Sequence, residues 1–291
     1  MKSLRNRLLE KRNHSGLAWE VVERDYLLSW ILAGISQVKI LQDTLVFKGG
    51  TALKKCYFGN YRFSEDLDFT GIEGVPTGID MANAMQKACS QAVKLLDAYA
   101  PMEIICERHV ERNPHPRGQE SFDIHGRFPW HRQPQTHIMV EITIDEQLVT
   151  PAVERPVIHE YEESLDAKLQ VYSLEEIIAE KLRAILQNLQ LLERKGWVRS
   201  RARDYYDLWR IFNTYKNQLK LSEIPALLQK KCQVRNVTYT NGDNFFTNHL
   251  LSLVEKTWEQ WLGPLLPELP AYKMVIEDLK HQVSLLLAGE V

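Results

Sequence analysis

One stretch constrains the fold of this chain more than any other: residues 46–70, VFKGGTALKKCYFGNYRFSEDLDFT. An apolar run leads into Gly49-Gly50-Thr51, and an amphipathic segment follows. Asp66 and Asp68 then alternate with hydrophobic residues, which is the pattern of a strand with one acidic face. A glycine turn between a strand and a helix favours a phosphate, and two adjacent carboxylates suit Mg²⁺ or Mn²⁺. The stretch therefore predicts a metal-dependent site that handles phosphate.

The pattern up to residue 168 predicts helices and strands around this stretch. Between two of the predicted strands lies a segment rich in turn-forming residues, 112–120, and residues 151–168 look extended and irregular. The predicted helices are 17–38, 51–57 and 80–99. The predicted strands are 45–47, 62–69, 102–110, 121–128 and 136–144.

After residue 168 the pattern becomes helical. Ser173 and Glu176 have the spacing of a capping box, so a long helix is predicted to run from there to Glu193, and Gly196 ends it. A second helix is predicted over 200–215, and most of the remaining chain is also helical. The sequence thus divides into an N-terminal α/β part, residues 1–168, and an all-helical C-terminal part, residues 169–291.

Composition excludes several classes of protein. The net charge of −2 argues against a strongly basic nucleic-acid coat, although local basic patches remain possible. No run of 18 apolar residues is present, so no membrane span is expected. The basic N-terminus lacks the apolar core of a secretory signal. The four cysteines are scattered, which predicts buried thiols in a reducing cytoplasm.

The 46–70 stretch resembles the signature of the AbiEii/MenT-type nucleotidyltransferases. These are toxins of bacterial type IV toxin–antitoxin systems, within the DNA polymerase β-like superfamily. The resemblance implies an α+β fold, in which a mixed sheet with flanking helices is followed by an all-helical lobe. It also implies Mg²⁺- or Mn²⁺-dependent transfer of a nucleoside monophosphate from an NTP to RNA, at the tRNA 3′ end in characterised members, which blocks translation. The implied partners are RNA and a cognate antitoxin protein, and no DNA partner is expected.

The resemblance also assigns roles around the glycine turn. It implies that Gly49, Gly50 and Thr51 hold the triphosphate, while Asp66 and Asp68 ligate the metal. A third carboxylate would come from a neighbouring strand. Glu141 is the first candidate and Asp145 the second, and the alternative is that both belong to a solvated strand face.

Three further residues lie close to this motif. Lys48 precedes the glycines and Arg62 precedes the acids, so each either contacts phosphate or is a surface charge. Ser64 is another candidate for the nucleotide site, because it lies two residues before Asp66. We hypothesise that phosphorylation of Ser64 would inhibit by charge and crowding.

Two charged residues of the helical part are candidates for catalysis. Lys181 falls within an apolar helical stripe, so it either extends its ammonium to water or faces a cleft. Asp204 either complements the dipole of its helix or belongs to the site. The family patterns E-K-L-R-A and R-x-R-D-x-x-D-L imply that Lys181 meets the transferring phosphate and that Asp204 orients Lys181 or the attacking hydroxyl, as a second wall of the cleft.

A basic cluster with an interleaved tryptophan is the candidate RNA contact, because guanidinium groups pair with phosphate and an indole can stack on a base. A solvated loop between helices is the alternative. The central histidines lack zinc-motif spacing, and solvation on strands and loops is expected for them. The basic cluster consists of Arg194, Lys195, Trp197, Arg199, Arg201 and Arg203, and the histidines are His109, His115, His125, His131 and His137.

Two other functions compete with RNA modification. One is nucleotidyl transfer to a protein or a small molecule, since one fold supports several acceptors. The other is an NTP-binding module without catalysis, which the intact Gly-Gly-Thr turn and Asp-x-Asp pair argue against.

Overall fold

The computed structural model describes residues 2–109 and 118–289. Most of the turn-rich segment predicted at 112–120, the last residue of the strand predicted at 102–110, and His115 lie outside those ranges. The chain forms two compact units, which meet in sequence at Tyr172 and Ser173. This division falls later than the predicted boundary at 168/169, because a strand beginning at Lys168 still belongs to the sheet of the first unit.

The first unit contains a mixed sheet, which confirms the predicted fold class. Its strands are β1 Leu45–Lys48, β2 Leu67–Gly71, β3 Glu103–Arg108, β4 Gln119–Arg127, β5 Thr136–Thr143, β6 Val153–Pro156 and β7 Lys168–Val171. They follow one another across the sheet in the order β3-β4-β5-β2-β1-β7-β6. The pairs β2–β5 and β1–β7 are parallel, and the other pairs are antiparallel. Residues 151–168, which were predicted to be extended and irregular, contain the short strand β6.

Helices flank this sheet. The helices of the first unit are α1 Leu4–Ser15, α2 Trp19–Ser36, α3 Lys39–Thr44, α4 Gly49–Ala52 and α5 Gly78–Leu96, with a π-helix over Leu53–Phe58 that continues α4. Side chains of α2 are buried along most of its length, and α2 packs against α5, β5 and β7. The helix predicted at 51–57 is therefore one α-helical turn followed by a π-helix.

The alternation along β5 separates the core from the open face of the sheet. Ile138, Val140 and Ile142 are fully buried, whereas Glu141 and Thr143 are half-buried on the opposite face. This is the period of two expected for a strand with one face on the core. Polar side chains of the sheet are thereby collected on one surface.

The second unit is helical throughout the part that the structure describes. Its helices are α6 Leu174–Lys195, α7 Ala202–Tyr215, α8 Ile224–Val234, α9 Asn248–Leu262 and α10 Tyr272–Ala288, with 3-10 turns at Lys216–Gln218, Leu221–Glu223, Gly242–Phe246 and Gly263–Leu265. Ser173 caps α6, since its hydroxyl accepts a hydrogen bond from the backbone N–H of Glu176 (3.1 Å), and Gly196 ends the helix in the left-handed conformation. Helix α6 packs against α7 and α8, and α7 packs against α9 and α10.

Two predictions from composition can be compared with these elements. Within residues 2–109 and 118–289, no helix is long and apolar enough to cross a membrane. All four cysteines are free thiols; Cys106 is half-buried, and the other three are buried.

Candidate functional site

The glycine turn joins β1 to α4, and its first residue is glycine for two physical reasons. Gly49 has φ +78°, a conformation that residues with a side chain rarely adopt. A Cβ at this position would also lie 2.4 Å from Oδ2 of Asp68. Asp68 pairs with Lys48 in the antiparallel register of β1 and β2, which brings its carboxylate to the start of α4. The glycine therefore makes room for the acid.

The second glycine makes room for an arginine. A Cβ on Gly50 would lie 2.3 Å from Nη2 of Arg62. Arg62 is only 3% exposed, and its Nη1 donates to the backbone carbonyl of Phe63 (3.2 Å). The interpretation of Arg62 as a surface charge is therefore wrong, because its guanidinium is buried against the glycine turn.

Thr51 connects the turn to the acidic motif. Its hydroxyl donates to the backbone carbonyl of Asp66 (2.5 Å), and the residue is buried. Asp66 precedes β2, so the strand predicted at 62–69 begins later than expected. The register of β1 and β2 ends at Lys48 and Asp68, where the chain turns into α4, and residues 62–66 therefore lie against the helix instead of extending the ladder.

The sheet places one candidate third carboxylate beside the acidic motif. Asp68 and Glu141 are register partners in the parallel pair β2–β5, and neighbouring strands lie about 4.8 Å apart. Asp145 is exposed and lies beyond the end of β5. The ladder therefore brings Glu141, rather than Asp145, next to Asp68.

The donor chemistry fits a hard cation. Mg²⁺ prefers oxygen ligands and is commonly held by one or two carboxylates together with substrate phosphates and water. Asp66 and Asp68 are such a pair, and Asp66 is exposed. In the described ranges, no three His, Cys, Asp or Glu side chains converge closely enough to hold a metal by themselves. The carboxylate pair thus fits a hard cation that also binds substrate phosphates.

Lys48 and Ser64 have different surroundings. The ammonium of Lys48 forms an ion pair with Glu146 and lies 3.5 Å from Oγ1 of Thr143. Its side chain is 11% exposed, so it lies within the open face of the sheet rather than extending into solvent. Ser64 is half-buried between Arg62 and Asp66 in sequence.

In the second unit, Lys181 is paired rather than extended to water. Its Nζ lies 2.7 Å from Oδ1 of Asp204 and 2.7 Å from Oδ2 of Asp207. Sequence reasoning did not select Asp207 as a site residue. The signal was present, because Asp204 and Asp207 are three residues apart on α7 and so share one helix face.

Positive charge keeps Asp204 ionised. Burial raises the pKa of this carboxyl, but Lys181 and Arg201 outweigh burial and hold the pKa below its usual value. Nη1 of Arg201 lies 3.4 Å from Oδ2 of Asp204. Arg201, predicted as an RNA contact, is therefore also an electrostatic neighbour of the Lys181–Asp204 pair.

The predicted RNA-binding cluster surrounds the end of α6. Arg194 and Lys195 are exposed in its last turn, and Trp197 is 73% exposed. A second tryptophan, which the sequence did not single out, organises two of the arginines. The guanidinium carbons of Arg199 and Arg203 lie 4.7 and 5.3 Å from the ring centroid of Trp261 on α9.

Three of the four described central histidines contact carboxylates. Nδ1 of His109 and Nε2 of His137 each lie 2.7 Å from an oxygen of Asp123, and the His125 ring stacks on His137. The expectation of solvation is wrong for His131, whose side chain is 5% exposed and lies 3.0 Å from Glu23. The sequence could not show this burial, because Glu23 lies on the distant helix α2.

Comparison with known proteins decides the family. The model of the family described as nucleotidyl transferase AbiEii toxin, type IV TA system, matches residues 30–283. The chain belongs to this family. It is therefore a nucleotidyltransferase toxin of the type IV toxin–antitoxin class, as its motif predicted, and a cognate antitoxin is the partner that this class implies.

The solved structure of another nucleotidyltransferase toxin has a similar fold. The chain is similar to MenT4, a nucleotidyltransferase toxin from Mycobacterium tuberculosis H37Rv, with 20% sequence identity and a TM-score of 0.63. The similarity covers 96% of this chain and 89% of MenT4. No curated protein matches the chain in sequence.

Proposed function

We propose that this AbiEii protein transfers a nucleoside monophosphate from an NTP to RNA, at the 3′ acceptor end of tRNA, and thereby blocks translation in the cytoplasm. The observation that carries the proposal is the arrangement around Gly49. Its turn is shaped around the carboxylate of Asp68, and Asp68 has Glu141 as its register partner. This arrangement suits a metal-bound triphosphate.

In this proposal Asp66 and Asp68 hold Mg²⁺ or Mn²⁺ together with the triphosphate. The bound cation would neutralise phosphate charge and polarise the phosphorus–oxygen bond that breaks. Arg62 adds positive charge at the glycine turn, and Thr51 fixes the backbone of Asp66 through its hydroxyl. Lys48 and Ser64 complete the proposed nucleotide-binding set. Glu141, the register partner of Asp68, is the third carboxylate that would join Asp66 and Asp68 once the cation and the triphosphate are bound.

Lys181 and Asp204 act by charge rather than by forming covalent bonds. Phosphoryl-transfer catalysis depends mainly on positioning and on stabilisation of charge in the transition state. An ammonium held between two carboxylates can supply such stabilisation, and Asp204 can orient it. We assign Lys181 to the transferring phosphate and Asp204 to the orientation of Lys181 or of the attacking hydroxyl.

The acceptor RNA is assigned to the basic cluster at the end of α6. Guanidinium groups bind phosphate through a planar set of donors, and stacking on an indole fixes their plane. Arg199 and Arg203 are held in this way by Trp261. Trp197 offers an exposed indole on which an unpaired base can stack.

A labelling experiment tests the proposal. Purified protein is incubated with total cellular RNA, Mg²⁺ and each of the four NTPs, labelled in turn on the α-phosphate. The expected result is label in RNA of tRNA length, absent with EDTA and with Asp68→Asn. NTP labelled on the γ-phosphate is the matched control, because nucleotidyl transfer leaves that phosphate in pyrophosphate.

The other outcomes separate the alternatives. Label in protein or in a small molecule, with none in RNA, would replace the RNA acceptor by another one. NTP binding without label in any acceptor would support a binding module. Either result would contradict the proposed tRNA modification.

A further inference from the structure

Lys181 is shared by two carboxylates that differ in their surroundings. The side chain of Asp207 is fully buried, whereas that of Asp204 is 15% exposed. Asp204 has a second cationic neighbour in Arg201, whose side chain is 41% exposed. The two acids therefore cannot contribute equally to holding the lysine.

We infer that Asp207 is a positioning residue that fixes the charged Lys181, which leaves Asp204 able to change partner during the reaction. This inference rests on the proposed role of Lys181 at the transferring phosphate. A carboxylate that touches both Lys181 and the substrate must move or share its hydrogen bonds, whereas a fully buried carboxylate can hold the lysine throughout.

The balance of charge supports this division. Lys181 lies within 4 Å of both Asp204 and Asp207, and Arg201 lies within 4 Å of Asp204. If Asp204 left Lys181, Asp207 would still compensate the ammonium and Arg201 would still compensate Asp204. A buried charge left without compensation is strongly destabilising, so the second carboxylate makes an exchange of partners feasible.

Other ionisable groups on helices α6, α7 and α8 contact partners of their own. On α6, Arg183 lies 3.8 Å from Glu180, and on α8 the ammonium of Lys231 lies 2.6 Å from Glu176. Tyr205 on α7 donates its hydroxyl to the backbone carbonyl of Phe245, and burial raises its pKa. Asp204 and Asp207 both lie within 4 Å of the Lys181 ammonium.

The test compares Asp207→Asn with Asp204→Asn in the full-length protein. Lysine labelled with ¹³C at Cε reports the titration of Lys181 by NMR, with Lys181→Arg used to assign the signal. The ammonium should titrate at lower pH in Asp207→Asn than in Asp204→Asn, because the interaction with the more buried carboxylate is screened less by water. The Asp207→Asn variant should lose nucleotidyl-transfer activity at alkaline pH first. At neutral pH its transfer rate should fall about tenfold.

Asp278→Asn is the matched control. Asp278 accepts hydrogen bonds from Trp209 (2.7 Å) and Asn213 (2.9 Å) and also joins two helices of the second unit. Its loss should lower stability without moving the titration of Lys181 or the pH profile. If Asp207→Asn shifts the titration no more than Asp278→Asn does, the inference is wrong.

Two features keep the test decisive. If Asp207→Asn does not fold, the Lys181 signal of Asp204→Asn is compared with wild type; a large downward shift in its titration would show that Asp204 holds the lysine and would overturn the inference. The NMR titration needs no substrate. A failure of the proposed function would therefore appear as absent transfer activity in wild type, independently of how Lys181 titrates.

Discussion

The carboxylate of Asp68 lies in the space that a side chain on Gly49 would need, since a Cβ there would come within 2.4 Å of Oδ2. The glycine of the turn and the acid of the strand are thus parts of one arrangement. We predict that Gly49→Ala nearly abolishes nucleotidyl transfer, because it displaces Asp68 and forces alanine to φ +78° at a cost of about 1–2 kcal/mol. Gly263→Ala is the control, because its Cβ would meet only Cγ of Glu259 at 3.7 Å. Transfer assays and thermal unfolding of both variants check this; full activity in Gly49→Ala would contradict it.

Thr51→Val should lower the rate of nucleotidyl transfer strongly, while the free energy of unfolding falls only modestly. The substitution removes the hydroxyl that holds the carbonyl of Asp66 but keeps the shape of the side chain. The expected loss of stability is about 1 kcal/mol, typical of one intramolecular hydrogen bond. Thr44→Val is a matched control, since the hydroxyl of Thr44 also donates to a backbone carbonyl, that of Ile40, at 2.5 Å. Equal transfer rates for the two variants would show that Thr51 has no role in positioning Asp66.

Glu141→Gln and Asp145→Asn distinguish the two candidates for the third carboxylate. Glu141 is the register partner of Asp68, whereas Asp145 lies beyond β5. We expect Glu141→Gln to lower kcat about a hundredfold, in the range found when one stabilising group is removed from an active site, and Asp145→Asn to retain most activity. Steady-state kinetics with saturating Mg²⁺ measure both. The reverse order would assign the role to Asp145.

Reversing the charge of Arg199 and Arg201 together should lower the affinity for RNA and make that affinity less dependent on salt concentration. Each lost phosphate contact lowers the slope of log K against log salt by about one. Arg201 also neighbours Asp204, so binding is measured apart from catalysis, by fluorescence anisotropy of labelled tRNA without NTP. Lys220→Glu, a substitution of a lysine with a 71% exposed side chain, provides the control. An unchanged slope in the double variant would place the RNA elsewhere.

Glu163 should make the first unit sensitive to acid. Burial raises the pKa of its carboxyl, but the nearby His159 imidazole (3.8 Å), the hydrogen bond from Tyr26 and the charge of Arg7 outweigh burial and lower the pKa to about 2. A depressed folded-state pKa stabilises the fold above the unfolded-state value of about 4.3, and this contribution is lost as the pH falls towards 2. The shift corresponds to roughly 3 kcal/mol.

Urea unfolding of wild type and Glu163→Gln between pH 6 and pH 3 measures this contribution. Wild type should lose stability more steeply than the variant as the pH falls, because glutamine has no proton to gain. Parallel curves would show that Glu163 does not contribute to acid sensitivity.

Sequence periodicity predicted the elements whose signal is local. Helices α2, α5 and α6 and strand β5 lie close to their predicted ranges, because the apolar spacing of each element is read within a single segment. The π-helix after α4 was not predicted, because a regular helical pattern does not reveal how the hydrogen bonds shift.

Features that depend on distant partners were harder to predict. The pairing of β7 with β1 and the contact between Asp207 and Lys181 join residues far apart in the chain, and no local pattern encodes such a contact. The same holds for the burial of Arg62 against Gly50, which only the folded turn reveals. The motif identified the residues of the candidate site; the structure showed how they constrain one another.

The parallel pairing of β1 with β7 has a consequence for when the sheet around the glycine turn can be completed. Phe47 pairs with Val171, and the backbone N–H of Tyr172 donates to the carbonyl of Phe47 (2.9 Å), immediately before the glycine turn. Contacts between residues so distant in sequence form late in folding, because the intervening chain must first be closed into a loop. A nascent chain on the ribosome therefore carries its glycine turn and its acids long before the strand that supports them has been made. The glycine turn and the acids are translated early, but the sheet that supports them can be completed only after Tyr172 has emerged.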